Sequence, residues 1–238
     1  GSSWSEGNNL NTPRTGGAGA GTQTAGLGFG GETSGSKTVD TEEYDGSSWS
    51  EQNNLSTARA ALGGAGTQTA GLAFGGVDPS PGKTTATEEY GGTSWTSGGA
   101  LPTAKSHMAG AGLQTAALSF GGSTGAAPYS TSTEEYDGTN WTSGGNMNTA
   151  RVNLAGCGTQ TAGLAFGGFA PGNTGATELY DGSSWTTSPA SLATARRQIS
   201  GAGTQTSALA FGGYGPVDSN ATEEFTNEFE STVTLTTS

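Results

Sequence analysis

Residues 59–96 read RAALGGAGTQTAGLAFGGVDPSPGKTTATEEYGGTSWT, and this stretch decides the fold. Apolar residues alternate with small or polar ones, no helical period persists, and Gly-rich turn signals divide the stretch into short segments. The pattern predicts four strands, at Ala60–Gly66, Thr69–Phe74, Thr85–Tyr90 and Thr93–Thr96.

Five copies of this unit follow one another along the chain. Tryptophans recur every 44 to 46 residues, at Trp4, Trp49, Trp95, Trp141 and Trp185. Phe-Gly-Gly recurs with the same rhythm, starting at Phe29, Phe74, Phe120, Phe166 and Phe211. Thr-Glu-Glu-Tyr or a close variant starts at Thr41, Thr87, Thr133, Thr177 and Thr222. Five markers of each kind indicate five units.

Four short strands in a unit of about 45 residues are typical of a β-propeller blade. We therefore expect an all-β chain that forms one five-bladed propeller of four-stranded antiparallel blades over residues 1–227. Gly1-Ser2-Ser3-Trp4 matches the internal Gly46-Ser47-Ser48-Trp49. The N-terminal strand is therefore expected to join the C-terminal blade and close the ring, which removes two open sheet edges. Residues 228–238 are expected to be a tail or an extra edge strand that competes for the same position.

The first strand of each unit is unusually small. One of its slots is always glycine, at Gly19, Gly64, Gly110, Gly156 and Gly201. Glycine permits close approach of two backbones, as expected where five strands crowd one axis.

Cys157 lies in a slot that is alanine in the other units, which indicates a small buried hydrophobe rather than a nucleophile.

Composition and charge exclude several functional classes. The chain has 8 Lys and Arg against 20 Asp and Glu, a formal net charge of −12, which disfavours nucleic acid and anionic lipid as partners. No apolar run approaches the roughly 18 residues of a spanning helix, so we expect no membrane insertion. One cysteine and one histidine cannot supply a Cys/His metal cluster, and we expect neither a metal nor a cofactor.

The residue order resembles the kelch repeat, through Arg59, Phe74-Gly75-Gly76, Glu88, Tyr90 and Trp95 and their copies from about Arg14 to Phe225. Two departures are the blade number, since kelch propellers more often have six or seven blades, and the small, Gly-rich first strand. Repeats of this kind look like those of phage and bacterial surface proteins. The resemblance implies attachment or particle decoration at a virion or extracellular surface, by analogy of fold alone.

Charged residues repeat with the blade. A cation slot holds Arg14, Arg59, Lys105, Arg151 and Arg196, and a glutamate slot holds Glu42, Glu88, Glu134, Glu178 and Glu223. We expect five buried structural ion pairs, because buried charges need partners and every unit supplies both. A ring of anion-binding cations is the alternative. The residue after the glutamate slot accepts Leu179, so the second glutamate of each unit is not expected to be required.

No catalytic constellation stands out. The only histidine is His107, and no Gly-x-Ser-x-Gly elbow holds a nucleophile. The adjacent acids Glu42 and Glu43, like their copies, point to opposite faces of a strand and do not form an acid–base pair. We therefore expect no enzyme. A glycosidase-type propeller, which requires converging unrepeated carboxylates, and an engineered repeat scaffold without an evolved ligand are the alternatives.

Departures from the repeat indicate function, because the scaffold needs its residues five times and a site needs its residues once. Two residues after the cation slot lie His107, Asn153 and Gln198, a polar cluster expected near one channel mouth. The loops between the second and third strands vary in length and carry Tyr129, Phe169 and Tyr214, which can stack on a sugar or anchor a protein. We expect a monomeric ring that binds a glycan or protein ligand at this face, although drift of solvent-facing loops and simple water binding are the plain alternatives.

Overall fold

The computed structural model of the chain describes residues 3–80 and 82–227, and it contains five antiparallel β-sheets arranged as a five-bladed propeller. The predicted fold class is confirmed: strands alone make up the regular structure of the described residues. Those residues contain no helix with the length and apolar character to cross a membrane. Four of the sheets have four strands, and the last has three.

The blades follow one another along the chain. Blades 1 and 2 comprise β1 (Ala18–Thr22), β2 (Ala25–Phe29), β3 (Thr41–Tyr44), β4 (Trp49–Glu51), β5 (Gly63–Gly66), β6 (Gly71–Phe74), β7 (Thr87–Tyr90) and β8 (Trp95–Ser97). Blades 3 and 4 comprise β9 (Ala109–Leu113), β10 (Ala116–Phe120), β11 (Thr133–Tyr136), β12 (Trp141–Ser143), β13 (Ala155–Thr159), β14 (Ala162–Phe166), β15 (Ala176–Tyr180) and β16 (Trp185–Ser191). Blade 5 comprises β17 (Ser200–Gly203), β18 (Ser207–Phe211) and β19 (Thr222–Thr226).

Each sheet is a simple meander in which neighbouring strands are consecutive blade strands. Two short strand pairs, Glu32–Thr33 with Ser36–Lys37 and Lys105–Ser106 with Ser123–Thr124, lie outside the blades. The small innermost strands let neighbouring blades approach closely: a Cβ atom at Gly110 would lie 2.3 Å from the carbonyl oxygen of Gly64 in the previous blade. Glycine is therefore required at Gly110 by contact between two backbones, whereas at Gly156 and Gly201 a Cβ would meet the ring of Phe120 or Phe166 of the previous blade, at 2.2 and 2.5 Å.

Neighbouring blades are joined by a tryptophan of the outer strand. Trp141 of blade 3 packs on Phe74 of blade 2 with ring centroids 5.0 Å apart, and its indole N–H donates to the Thr87 hydroxyl at 2.9 Å. Trp95 and Trp185 make the same contacts with the blades before them. The repeated Trp, Phe and Thr therefore form one interlocking contact at each of the three interfaces among blades 1 to 4.

A glutamine in blades 2 to 5 and a tyrosine in blades 2 to 4 also bind each of these blades to the preceding one. The Gln114 amide of blade 3 donates to the carbonyl oxygens of Gly71 and Tyr90 of blade 2, at 2.9 and 2.8 Å. The Tyr136 hydroxyl donates to Glu89, and burial followed by this hydrogen bond raises the pKa of Tyr136 to about 12. The later blade thus supplies the donors, and the earlier blade supplies the acceptors.

The N-terminal segment contacts the C-terminal blade, but residues 3–10 do not form a strand of its sheet. Trp4 stacks on Phe211 at 5.5 Å and donates to Thr222 at 3.1 Å. Trp141 of blade 3 makes the same two contacts with the Phe and Thr of blade 2, the blade before its own. Trp4 therefore lies where the tryptophan of a blade after blade 5 would lie, and not in the fourth strand of blade 5 as expected. The predicted tail or edge strand at 228–238 lies outside the described residues.

Candidate functional site

The variable-loop face brings the three predicted aromatic residues into one row. The rings of Tyr129 and Phe169 lie 5.8 Å apart, and the Arg197 guanidinium lies between Phe169 and Tyr214, 4.9 and 5.0 Å from their ring centroids. Tyr129, Phe169 and Tyr214 come from blades 3, 4 and 5. The Arg197 contacts are within cation–π distance, and Tyr214 keeps 37 % of its surface exposed.

The backbone fixes the start of each loop at this face. After Phe166, Gly167 and Gly168 adopt positive φ values of 63° and 102°, and a Cβ at Gly168 would lie 2.9 Å from the Val152 carbonyl oxygen. The chain then forms a β-bridge between Phe169 and Val152. The Phe-Gly-Gly motif therefore turns the chain so that the next side chain lies beside the entry to the first strand of its own blade.

Arg197 is a residue of this site that the sequence reasoning missed. It follows the slot residue Arg196 directly, and a bridge from Arg197 to Tyr214 places it in the aromatic row. The signal was available, because only three cations lie outside the repeated slot: Lys37, Lys83 and Arg197. All three lie in or beside the variable loops, so this face carries every cation that the ion pairs do not use.

The predicted polar cluster lines the channel mouth on the same face. His107, Asn153 and Gln198 border a cleft of about 440 Å³ together with Gly16 and Ala61. The backbone N–H of Ala61 donates to the carbonyl oxygen of Gly16, the residue in the same slot one blade earlier. The same bond joins His107 to Ala61, Asn153 to His107 and Gln198 to Asn153, at 2.8 to 2.9 Å. All five have positive φ, between 53° and 63°, which places four non-glycine residues in the left-handed region.

The ionisation of His107 is altered at this position. Partial desolvation at the channel mouth, followed by the positive charge of Lys83, lowers the pKa of His107. Its Nδ1 atom lies 3.0 Å from the Ser106 hydroxyl. The residue surface itself is exposed, so the imidazole is a neutral, accessible hydrogen-bonding group at pH 7.

Each of the five slot cations contacts the glutamate of its own blade. The pairs are Arg14–Glu42 at 2.9 Å, Arg59–Glu88 at 2.7 Å, Lys105–Glu134, Arg151–Glu178 at 2.7 Å and Arg196–Glu223 at 2.6 Å. The cation side chains are at most 3 % exposed. With their charge turned inward and neutralised, these cations do not form an open ring for anions.

Further hydrogen bonds complete these pairs. Arg151 also donates to the carbonyl oxygens of Gly167 and Ala176, at 3.0 and 2.6 Å. The second oxygen of Glu178 accepts from the backbone N–H of Asn148 at 2.7 Å. In blade 3 the corresponding position is Pro102, which has no N–H, and this is also the blade whose cation is lysine.

The expectation that the second glutamate of each unit is not required is corrected by its contacts. Glu43 accepts from the Tyr90 hydroxyl of the next blade at 2.8 Å, and Glu89 and Glu135 accept from their tyrosines in the same way. Blade 4 has Leu179 in this slot, and blade 5 has Phe225 where the donor tyrosine would lie. At the interface between blades 4 and 5 the acceptor and the donor are therefore both replaced, and neither is left without a partner.

Cys157 is buried, and burial raises its pKa to about 11. A thiol with a raised pKa is a poor nucleophile at neutral pH. Across residues 3–80 and 82–227, no group of three or more His, Cys, Asp or Glu side chains is arranged to hold a metal ion.

Comparison of the sequence with protein-family models and with curated proteins found no match. The chemistry of the loop face and channel mouth is therefore the basis for assigning a function.

Proposed function

We propose that the protein is a non-enzymatic binding module whose ligand lies across the variable-loop face, on the row of Tyr129, Phe169, Arg197 and Tyr214. The observation that carries the proposal is the row itself. Three blades each contribute an aromatic residue. Tyr129 packs on Phe169 at 5.8 Å, and Phe169 and Tyr214 flank the unrepeated cation Arg197 at 4.9 and 5.0 Å. A scaffold of repeated units does not need such a contact.

A glycan is the ligand class that this face fits best. Aromatic rings stack on the apolar faces of sugars, and the neighbouring mouth supplies amide and imidazole groups for hydroxyls through His107, Asn153 and Gln198. The repeated glutamates of blades 1 to 4 are engaged in ion pairs or in hydrogen bonds to tyrosine, which supports binding rather than hydrolysis. A protein ligand that anchors on the same aromatic row is the second candidate.

The wider context belongs to the same proposal. We infer that the units are kelch-like, supported by the cation–glutamate pair and the Phe-Gly-Gly turn of each blade and by the interlocking tryptophan of blades 2, 3 and 4. Attachment at a virion or cell surface is the role that this resemblance implies.

A glycan array probed with the full chain and with the triple variant Tyr129→Ala, Phe169→Ala, Tyr214→Ala tests the proposal. Loss of three stacking contacts, at about 0.5–1.5 kcal/mol each, predicts at least a tenfold loss of retained glycan. The circular dichroism spectrum should stay unchanged, because these loops supply no repeated blade residue.

Leu113→Ala is the matched control, because Leu113 is 54 % exposed and ends the first strand of blade 3 at the opposite end of the propeller. It should bind as the wild type does. Equal retention by the triple variant would move the site away from these loops. A wild-type chain that retains no glycan would contradict the glycan assignment and leave the protein ligand as the candidate.

A further inference from the structure

The edge of blade 1 carries three donors that have no acceptor among the described residues. Gln23, Tyr44 and Trp49 occupy the slots of Gln114, Tyr136 and Trp141. Those three in blade 3 each donate to blade 2. No hydrogen bond joins the Gln23 amide, the Tyr44 hydroxyl or the Trp49 indole N–H to any residue within 3–80 and 82–227.

The opposite edge, on blade 5, carries the complementary acceptors. The carbonyl oxygens of Ala208 and Phe225 correspond to those that accept from Gln114, and Glu224 corresponds to Glu89. Phe211 and Thr222 are not buried, whereas the Phe and Thr of the other four blades are. Blades 1 and 5 therefore do not bury these faces against each other.

The N-terminal segment already occupies part of the space between these edges. Trp4 docks on blade 5, while the Asn8 side chain donates to the Ser47 carbonyl and the Asn11 backbone N–H donates to Glu42, at 2.5 and 2.7 Å. Asn148 makes the same backbone contact with Glu178 after the outer strand of blade 3. Residues 3–10 thus stand where the outer strand of a blade between blades 5 and 1 would stand.

We propose that the cleft between residues 3–8 and blade 1 is a docking site for three further strands of this same repeat. The cleft has a volume of about 680 Å³ and is lined by Trp4, Gln23, Tyr44 and Trp49 among others. A repeat blade presents the carbonyls, glutamate and threonine that accept from these donors. A second copy of the chain fits less well, because the Trp4 of that copy covers its Phe211 and Thr222.

The experiment supplies the three strands. A copy of residues 11–45 is fused before Gly1, which recreates the Tyr-Asp-Gly-Ser-Ser-Trp sequence of residues 44–49 at the junction. The control fusion carries the same 35 residues in shuffled order. Docking predicts that the melting temperature of the repeat fusion rises by at least about 4 °C over both the control fusion and the unfused chain.

Gln23→Ala distinguishes docking at this edge from unspecific stabilisation. It should leave the melting temperature of the unfused chain unchanged, because the Gln23 amide has no partner in the described part of that chain. It should lower the melting temperature of the repeat fusion by about 2–4 °C. An equal melting temperature for the repeat and shuffled fusions overturns the proposal. So does a rise that Gln23→Ala does not reduce, or concentration-dependent dimerisation of the unfused chain that buries Trp49.

Discussion

The interface between blades 2 and 3 and the gap between blades 5 and 1 are built from the same repeated residues, yet they differ. At the former, Gln114, Tyr136 and Trp141 all find their acceptors on blade 2. At the latter, the corresponding residues of blade 1 have no acceptor within residues 3–80 and 82–227, and Trp4 packs on blade 5. Identical residues are therefore buried in one blade and exposed in another, because their burial depends on contacts with the neighbouring blade.

The ion pairs offer the largest expected contrast. Arg151→Ala, inside the ring, should destabilise the chain by about 3–5 kcal/mol, since it leaves Glu178 buried without its partner. Arg196→Ala in blade 5 should cost less than half as much, because the side chain of Glu223 is 23 % exposed and water replaces the lost partner. Urea denaturation midpoints of both variants measure the difference. Losses below about 0.5 kcal/mol for both would show that the pairs are not structural.

The tryptophans give the next contrast. Trp141→Ala removes a ring that is 6 % exposed and stacks on Phe74, and we expect a loss of about 3–5 kcal/mol. Trp49→Ala should cost less than half of this, because among the described residues Trp49 stacks on Tyr44 of its own blade and on no ring of another blade. Equal losses by thermal unfolding would show that blades 1 and 5 meet as closely as blades 2 and 3.

The smallest effect concerns the channel mouth. Because His107 is the only histidine, its proton NMR signal reports its pKa without assignment, and we expect a value below the ordinary 6.5. Lys83→Ala should raise that pKa by removing a nearby positive charge, although desolvation remains. Because the pKa of His107 is lower in the folded chain than in the unfolded chain, protonation of His107 favours unfolding. The free energy of unfolding therefore has its full value above pH 6.5 and falls as the pH drops through the pKa of the folded chain. His107→Gln should abolish this part of the pH dependence, and a His107 pKa at or above 6.5 would contradict the account.

Sequence reasoning recovered the parts of the molecule that repeat. The five blades and the separate loop face with Tyr129, Phe169 and Tyr214 follow from periodicity and its interruptions. Arg197 was missed because it directly follows Arg196 of the repeated cation slot, so it was not recognised as one of the three cations outside that slot. The role of Glu43 and its copies was missed because Leu179 was taken as a free substitution, and only the contacts reveal that Phe225 compensates. The docking position of Trp4 depends on which blade lies beside it, and an internal match of four residues cannot specify that.

Hydrogen exchange of the tryptophan indole N–H groups tests the central claim most directly. Trp141 and Trp185, which donate to buried threonines, should exchange slowly, whereas Trp49, whose indole has no acceptor in the described chain, should exchange fast. NMR of the unfused chain after transfer to deuterated water resolves the individual signals. We expect the Trp49 indole N–H to exchange at least about tenfold faster than that of Trp141, a difference of about 1.4 kcal/mol in the free energy of protection. Equal protection of Trp49 and Trp141 would show that blade 1 is packed against a neighbour and would contradict it.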